Sequence, residues 1–375
     1  MRAIVGGNSS RQAEQVGLPV LDRIREWDPG AASESELEAW LRAYNDSIAA
    51  DLTEDPLWRM TKLREYLTVT MPGERRLTWL AEQGPTAEAG GTPAGGRVLG
   101  YGRLLMQGGL GVLELYVVPS ARGRGVGSAL LATMAERAVS EGFTSLGVEV
   151  IGDTPARAFY EANGFNHAYT EMRSLLDLAT VDWAEIGEMA AGVVQGYEVE
   201  FHPGDLPDAI LPAYADAKQV RQHDPTGDLD LRPSSYDADR LRASLGCLRA
   251  RGLMPYIVLA VHERTGKVAG LTELVVPAQH PTRADQYDTI IVPEHNGYGL
   301  PRALKARMLL ELRAADLHLR DVQTWHAAEN EQLQQVNKEL GFRPDREWRE
   351  YEADARELAA RLRPYSPAAR ILPSI

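Results

Sequence analysis

The chain has one cysteine, Cys247, in 375 residues, which excludes an internal disulfide framework and makes a reducing, cytoplasmic compartment the expectation. It has no apolar run of about 18 residues, so no membrane-spanning helix is expected. The opening MRAIVGGNSSRQAEQ lacks the continuous apolar core of a signal peptide. Positive charge is in deficit. The net charge of −13 argues against nucleic acid and anionic lipid as partners, because both require a basic surface, and it favours a cationic partner such as an amine. The histidines are scattered without metal-ligand spacing, and neither a Ser-His-Asp set nor a nucleophilic cysteine arrangement is present. No metal is therefore expected.

What the chain does have is the hexapeptide Arg122-Gly123-Arg124-Gly125-Val126-Gly127, set between an apolar run ending at Val118-Pro119 and a helical pattern starting at Ser128. Glycines at a strand-to-helix turn let backbone N–H groups close around a phosphate, and the helix N-terminus adds about half a positive charge. Two nucleotide-type ligands fit such a turn. A Rossmann dinucleotide site needs Gly-x-Gly-x-x-Gly directly at the strand end and an acid about 20 residues on. Here Ser128 stands at the third glycine, Pro119-Ser120-Ala121 intervene, and Glu149 would be the acid. The alternative is the Arg/Gln-x-x-Gly-x-Gly/Ala loop that binds the pyrophosphate of coenzyme A, which Arg122-x-x-Gly125-x-Gly127 matches at every fixed position.

The surrounding segments are in register with the second choice. Gly111–Val118 (GVLELYVV) reads as a strand closed by Pro119, Ser128–Val139 as a helix and Ser145–Ile151 as a second strand. Asp153 to Phe165 (DTPARAFYEANGF) then reads as a short helix that Asp153 or Thr154 caps, with Pro155 in its first turn. On LYVVP, RGRGVG and FYEANGF the chain resembles the GCN5-related N-acetyltransferases (GNAT), closely over residues 100–170.

The pattern recurs. Asp288 to Pro301 aligns with the first site about 174 residues later, and Asn330 to Phe342 aligns with Asp153 to Phe165. An internal repeat of this length predicts two similar domains rather than one large sheet. The expected division is 1–176, a helical connector 177–195, and 196–375. The expected fold class is α/β (α+β), two tandem GNAT domains, each a mixed twisted sheet with helices on both faces and a splayed parallel strand pair. The copies differ at key positions: Arg122 becomes Asn296, Gly127 becomes Pro301 and Tyr160 becomes Asn337, whereas Asp153 stands where the second copy keeps Asn330. The first half reads as catalytic and the second as degenerate.

The remaining pattern predicts a strand over 18–27, two helices within 33–66, strands at 76–83 and 97–107 around a Gly/Pro-rich loop at 84–96, and helices at 205–220 and 236–251.

What the resemblance implies is an N-acyltransferase using acetyl-CoA as co-substrate and a small-molecule amine as acceptor, by direct transfer in a ternary complex. It assigns the pyrophosphate to Arg122, Gly123, Arg124, Gly125, Val126, Gly127 and Ser128. It assigns the pantetheine arm to the main chain of Tyr116, Val117 and Val118, and adds Asp153 to the cofactor site. Tyr160 is the candidate acid facing the sulfur. Glu114 is the candidate base, since Glu114, Tyr116 and Val118 share one strand face. An ordinary glutamate is about six units too weak to deprotonate an ammonium, so Glu114 requires burial or a water relay. A different class stays open: an acyl-CoA-binding sensor or scaffold without turnover. The layout also resembles that of mycothiol synthase, from which it differs in the half that keeps the intact motif.

Overall fold

Ser33 opens the first helix with a capping box: its hydroxyl accepts the Glu36 amide, and the Glu36 carboxylate accepts the Ser33 amide at 3.0 Å. Such a box is worth about 1 kcal/mol. The computed structural model describes residues 21–84, 96–107, 110–192, 195–220, 237–278, 281–315 and 317–365. The first half runs β1 (Arg23–Glu26), α1 (Glu34–Asp51), α2 (Met60–Thr68), β2 (Arg75–Gln83), β3 (Arg97–Gln107), β4 (Leu110–Val117), α3 (Val126–Ser140), β5 (Ser145–Ile151), α4 (Pro155–Ala162) and β6 (Asn166–Asp177). A connecting helix, α5 (Trp183–Ala191), follows. The second half repeats the order as β7 (Tyr197–Pro203), α6 (Leu211–Lys218), α7 (Ala238–Ala250), β8 (Leu253–His262), β9 (Lys267–Pro277), β10 (Arg283–Ile291), α8 (Leu300–Ala314), β11 (Asp321–Ala327), α9 (Glu331–Glu339) and β12 (Arg343–Asp354), with α10 (Ala355–Leu362) at the end.

Two expected elements are shorter than their pattern. The strand expected from residue 18 is β1 alone, and its first residues lie outside the described ones, as does most of the 84–96 loop. The helix expected from 205 begins at Leu211, because Pro212 is accommodated only in a first turn.

The sheets of the two halves are continuous. All twelve strands form one sheet in the order β1-β2-β3-β4-β5-β12-β6-β11-β10-β9-β8-β7, which corrects the expectation of two separate sheets. The halves exchange their last strands. β12 pairs with β5 and β6, and β6 pairs with β11. The helix after each strand moves with it. Leu358 and Leu362 of α10 pack with Leu131 and Ala135 of α3, and Ile186 of α5 packs with Leu304 and Met308 of α8. Burial of each such leucine or isoleucine contributes about 1.5–3 kcal/mol, so neither half completes its core alone. Because β6 and β12 carry the same alternating pattern, periodicity could not say which half each would join.

A buried ion network crosses the seam. Arg173 on β6 donates from Nη1 to Asp55 at 2.7 Å and from Nε to Asp345 at 2.6 Å. Arg283 on β10 reaches Asp55 at 2.9 Å and Asp321 at 2.5 Å. Burial opposes ionisation of Asp55, but the two guanidinium groups outweigh it and hold the carboxyl below its usual range. The α1–α2 loop is thereby pinned to strands of both halves. No helix among the described residues is long and apolar enough to cross a membrane.

Candidate active site

β4 and β5 run parallel but pair only from Leu110↔Ser145 to Leu113↔Val148. Past that point the ladder stops, while β4 stays paired with β3 as far as Val117↔Gly100. One edge of β4 is therefore open over Glu114–Val117. Backbone polar groups alternate between the two edges of a strand. The Val118 amide donates to Leu99 at 3.0 Å and its carbonyl accepts Ala121 at 2.8 Å, so Val118 is committed to its own half. By the same alternation Tyr116 faces β3, and Leu115 and Val117 face the open edge. Of the three residues expected to meet a pantetheine arm, Val117 lies on the open edge, with its carbonyl accepting Arg122 Nε at 3.0 Å, and Tyr116 and Val118 do not; Leu115 shares that edge.

The loop after β4 has the expected shape. Gly123 and Gly125 have φ of 70° and 80°, a region that disfavours any residue with a Cβ, and a Cβ at either would meet only open space. Among the described residues, the amides of Gly123, Val126, Gly127 and Ser128 donate to no backbone carbonyl. They lie at the N-terminus of α3, where donors and dipole together suit an anion. Arg124 is exposed beside them, and the Val126 side chain is buried beneath. Arg122 does not point its guanidinium into this space. It donates to both Asp51 carboxylate oxygens at 2.7 Å and to the Val117 carbonyl at 3.0 Å, and so braces the loop against α1 and the end of β4. Asp153 does not cap α4. Its side chain is exposed, 3.7 Å from Arg346, whereas Asn330 does cap α9 by accepting the Leu333 amide at 3.0 Å.

Tyr160 is buried on α4 against Phe159 and Phe165, with ring centroids 5.1 Å away in each case. Its hydroxyl has no hydrogen-bond partner among the described residues. Burial, then the charge of Glu114, raises it above the ordinary phenol range, so it keeps its proton and acts only as a donor.

Glu114 is not available as the expected base. Its carboxylate is ion-paired with Arg103 across the β3–β4 register and accepts the Tyr66 hydroxyl at 3.2 Å. A second set of carboxylates stands at the mouth of the open pair. Glu149 is the first β5 residue past the end of the β4–β5 ladder, and its cross-strand partner is Glu350 on the exchanged β12. The two carboxyl groups thus face each other across the β5–β12 ladder, with Glu171 on β6 near enough to act on both electrostatically. Burial, followed by neighbouring carboxylates, raises both: Glu149 well above the usual range and Glu350 to about 7. Glu149 keeps exposed surface and lines an open cleft of about 540 Å³ shared by the two halves. Sequence reasoning noticed Glu149 only as a dinucleotide acid. Glu350 lies about 200 residues away and gave no signal.

The second half keeps the backbone and changes the chemistry. β10 and β11 pair from Arg283↔Asp321 to Gln286↔Thr324 and then part, and Gly297 and Gly299 have φ of 86° and 70°. The loop thus has the shape of the first one. Pro301 removes the amide that Gly127 offers, and Asn337 sits buried at the Tyr160 position with neither amide atom hydrogen-bonded among the described residues. Asp288, the counterpart of Glu114, is paired with Lys218 at 2.9 Å, which also contacts Glu273 at 2.7 Å. Among the described residues no cluster of His, Cys, Asp or Glu has a metal-binding arrangement.

Residues 34–165 match the acetyltransferase (GNAT) family. A tandem GNAT protein from the clavulanic acid biosynthesis pathway superposes with a TM-score of 0.71 at 24% identity, covering 89% of this chain and 98% of that one. A GCN5-related N-acetyltransferase from Sphaerobacter thermophilus gives a TM-score of 0.60 at 15% identity, over 89% of this chain and 96% of that one. No curated protein matches the chain. An open parallel pair and a glycine loop of the same shape in each half accompany these similarities: residues 34–165 match the GNAT family, and the chain as a whole shares the fold of a tandem GNAT protein.

Proposed function

We propose that the first half transfers an acetyl group from acetyl-CoA directly to a primary amine of a small molecule, and that the second half serves the first without turnover of its own. The observation that carries this reading is the open β4 edge ending at a glycine loop whose amides donate to no backbone carbonyl among the described residues, together with a buried tyrosine hydroxyl that has no hydrogen-bond partner among them. The amides of Gly123, Val126, Gly127 and Ser128 suit the diphosphate, the open edges of Leu115 and Val117 suit the amide-bearing arm as an added strand, and Tyr160 donates to the developing thiolate.

An alkylammonium is neutral in about one molecule in 2,500 at pH 7, a penalty of about 4.6 kcal/mol. The Glu149–Glu350 pair is the proton acceptor in this reading. A carboxyl raised to about 7 closes nearly half of the six-unit gap that an ordinary glutamate leaves. The pair exists only because β12 crosses over, so the second half contributes one residue to the chemistry of the first. Proximity of thioester and amine supplies much of the remaining rate.

Thiol release from acetyl-CoA across an amine library tests the reading. Acceptor-dependent release that falls roughly 100-fold in Tyr160→Phe, with acetyl-CoA affinity unchanged, is the expected result. Tight CoA binding with no acceptor-dependent release would instead establish the sensor or scaffold class.

A further inference from the structure

α1 ends beside the glycine loop of the first half without a cation of its own. Its last turn carries no basic residue, so the carbonyls left over at its C-terminus, and the negative end of its dipole, are met from outside the helix. Arg122 reaches the Asp51 carboxylate from the loop, with both contacts at 2.7 Å. The Asp51 carbonyl is met by a residue of the other half. Arg346, on the exchanged strand β12, donates to it from Nη1 at 3.0 Å.

The local shape of β12 holds Arg346 in that place. The β6–β12 register shifts between Pro344 and Arg346, which makes Asp345 the extra residue of a bulge, a device that re-aims the side chains around it. The Asp345 carboxylate accepts Arg173 Nε at 2.6 Å and lies 3.5 Å from Arg346 Nε. One residue on, the Glu347 carbonyl accepts the Gly152 amide at 2.9 Å and so ties β12 to the end of β5. Arg346 Nη1 is also 3.7 Å from Asp153 in the turn after β5. Arg346 therefore links the two sides of the open β4–β5 pair. On the β4 side the contacts continue from the Asp51 carboxylate to Arg122, whose Nε donates to the Val117 carbonyl at 3.0 Å, at the foot of the loop. Every donor in this series is a charged guanidinium, and such bonds are about twice as strong as neutral ones; the two-pronged Arg122–Asp51 contact fixes orientation as well.

We propose that Arg346 is a positioning residue for acetyl-CoA: acting through Asp51 and Arg122, it holds the glycine loop of the first half in the shape that receives the diphosphate. A loop already ordered before the ligand arrives spares the entropy of ordering it on binding, so slack in this series of contacts is read as lost affinity. The inference rests on the reading of that loop as the coenzyme site. The second half thereby acts on coenzyme binding without using its own glycine loop.

Calorimetric titration of the full chain with acetyl-CoA tests this as a double-mutant cycle. Arg122→Gln is expected to weaken binding about 10-fold or more and Arg346→Gln about 5-fold, with the double variant within about 2-fold of Arg122→Gln alone, because both changes cut the same series of contacts. Arg346→Met, which keeps the stem of the side chain, is a second way to remove the donor and is expected to give the same loss. Arg346→Lys retains a charged donor for the Asp51 carbonyl and is expected to restore most of the affinity. Melting curves verify that each variant is folded. A role for Arg346 confined to the stability of β12 would lower the melting temperature and leave the affinity of the folded variants native. Native affinity in the folded Gln or Met variant, or losses that multiply in the double variant, overturns the inference alone. Absence of acetyl-CoA binding by the native chain overturns the reading of the loop and the inference with it.

Discussion

The two halves of the molecule trace nearly the same backbone through different chemistry. Gly123 and Gly125 in one, and Gly297 and Gly299 in the other, take left-handed conformations at matching places, and both parallel pairs part after four residue pairs. Main-chain shape is therefore shared where the side chains around it are not. Where the first half places Leu131, Val150 and Tyr160, the second places Lys305, His326 and Asn337, all buried. The Lys305 Nζ has no hydrogen-bond partner among the described residues and lies 5.1 Å from the Phe342 ring centroid, and burial lowers its pKa to about 7. A scaffold tolerates such groups where nothing depends on a dry, preorganised pocket. The comparison teaches that a glycine loop specifies a shape, and that proline, tyrosine and the charged residues around it decide whether the shape is used.

The sharpest way to break this ranking is at the loops. Gly125→Glu forces a side chain onto a φ of 80° and sets a carboxylate where the diphosphate belongs, so CoA binding and turnover are expected to disappear. The matching Gly299→Glu is expected to leave turnover within about 2-fold. Calorimetric stoichiometry checks both variants, and two equal CoA sites in the native chain would contradict the assignment. Next in size is the exchanged seam. Arg173→Met leaves Asp345 without its buried partner and Asp55 with Arg283 alone, and is expected to cost about 3–5 kcal/mol, read by denaturant titration. Because each half is finished by the other's last strand, unfolding should remain a single transition. Two transitions would mean that the halves are energetically separate.

The smallest effect sharpens the contrast between the cores. Lys305 binds its proton less tightly in the folded chain than in the unfolded one, so between about 7 and the ordinary lysine value near 10.4 the unfolded state holds more protons. Stability is then expected to rise with pH across that window. Its penalty is fully present below 7, and burial lowers the pKa of the nearby His326 as well. Lys305→Leu, which restores the residue type of the first half, is expected to flatten the slope and to raise stability by about 2–4 kcal/mol at pH 7. Melting temperatures measured across pH 7–10 check it, and a native profile that falls with pH would refute the account of this core.

Local signals carried much of the architecture. The glycine spacing at 123 and 125, the proline after β4 and the apolar periodicity of α3 are short-range features whose physics acts within a few residues, and they were legible. So were the repeat and the replacement of Tyr160 by Asn337. Illegible were the partners that depend on distance. Nothing near Arg122 in the chain announces Asp51, and nothing near Glu114 announces that Arg103 and Tyr66 claim its oxygens.

By itself the sequence determined the fold class, the duplicated pattern and the backbone shape of each loop, because these follow from steric and periodic rules applied residue by residue. Only the tertiary structure decided that β6 and β12 trade places, and with that exchange that Glu350 meets Glu149 over a cleft shared by both halves. Two strands with the same alternating pattern satisfy the same local rules. The choice between them lies in which long-range pairing buries more surface and leaves fewer polar groups unpaired, a property of the assembled sheet rather than of either strand.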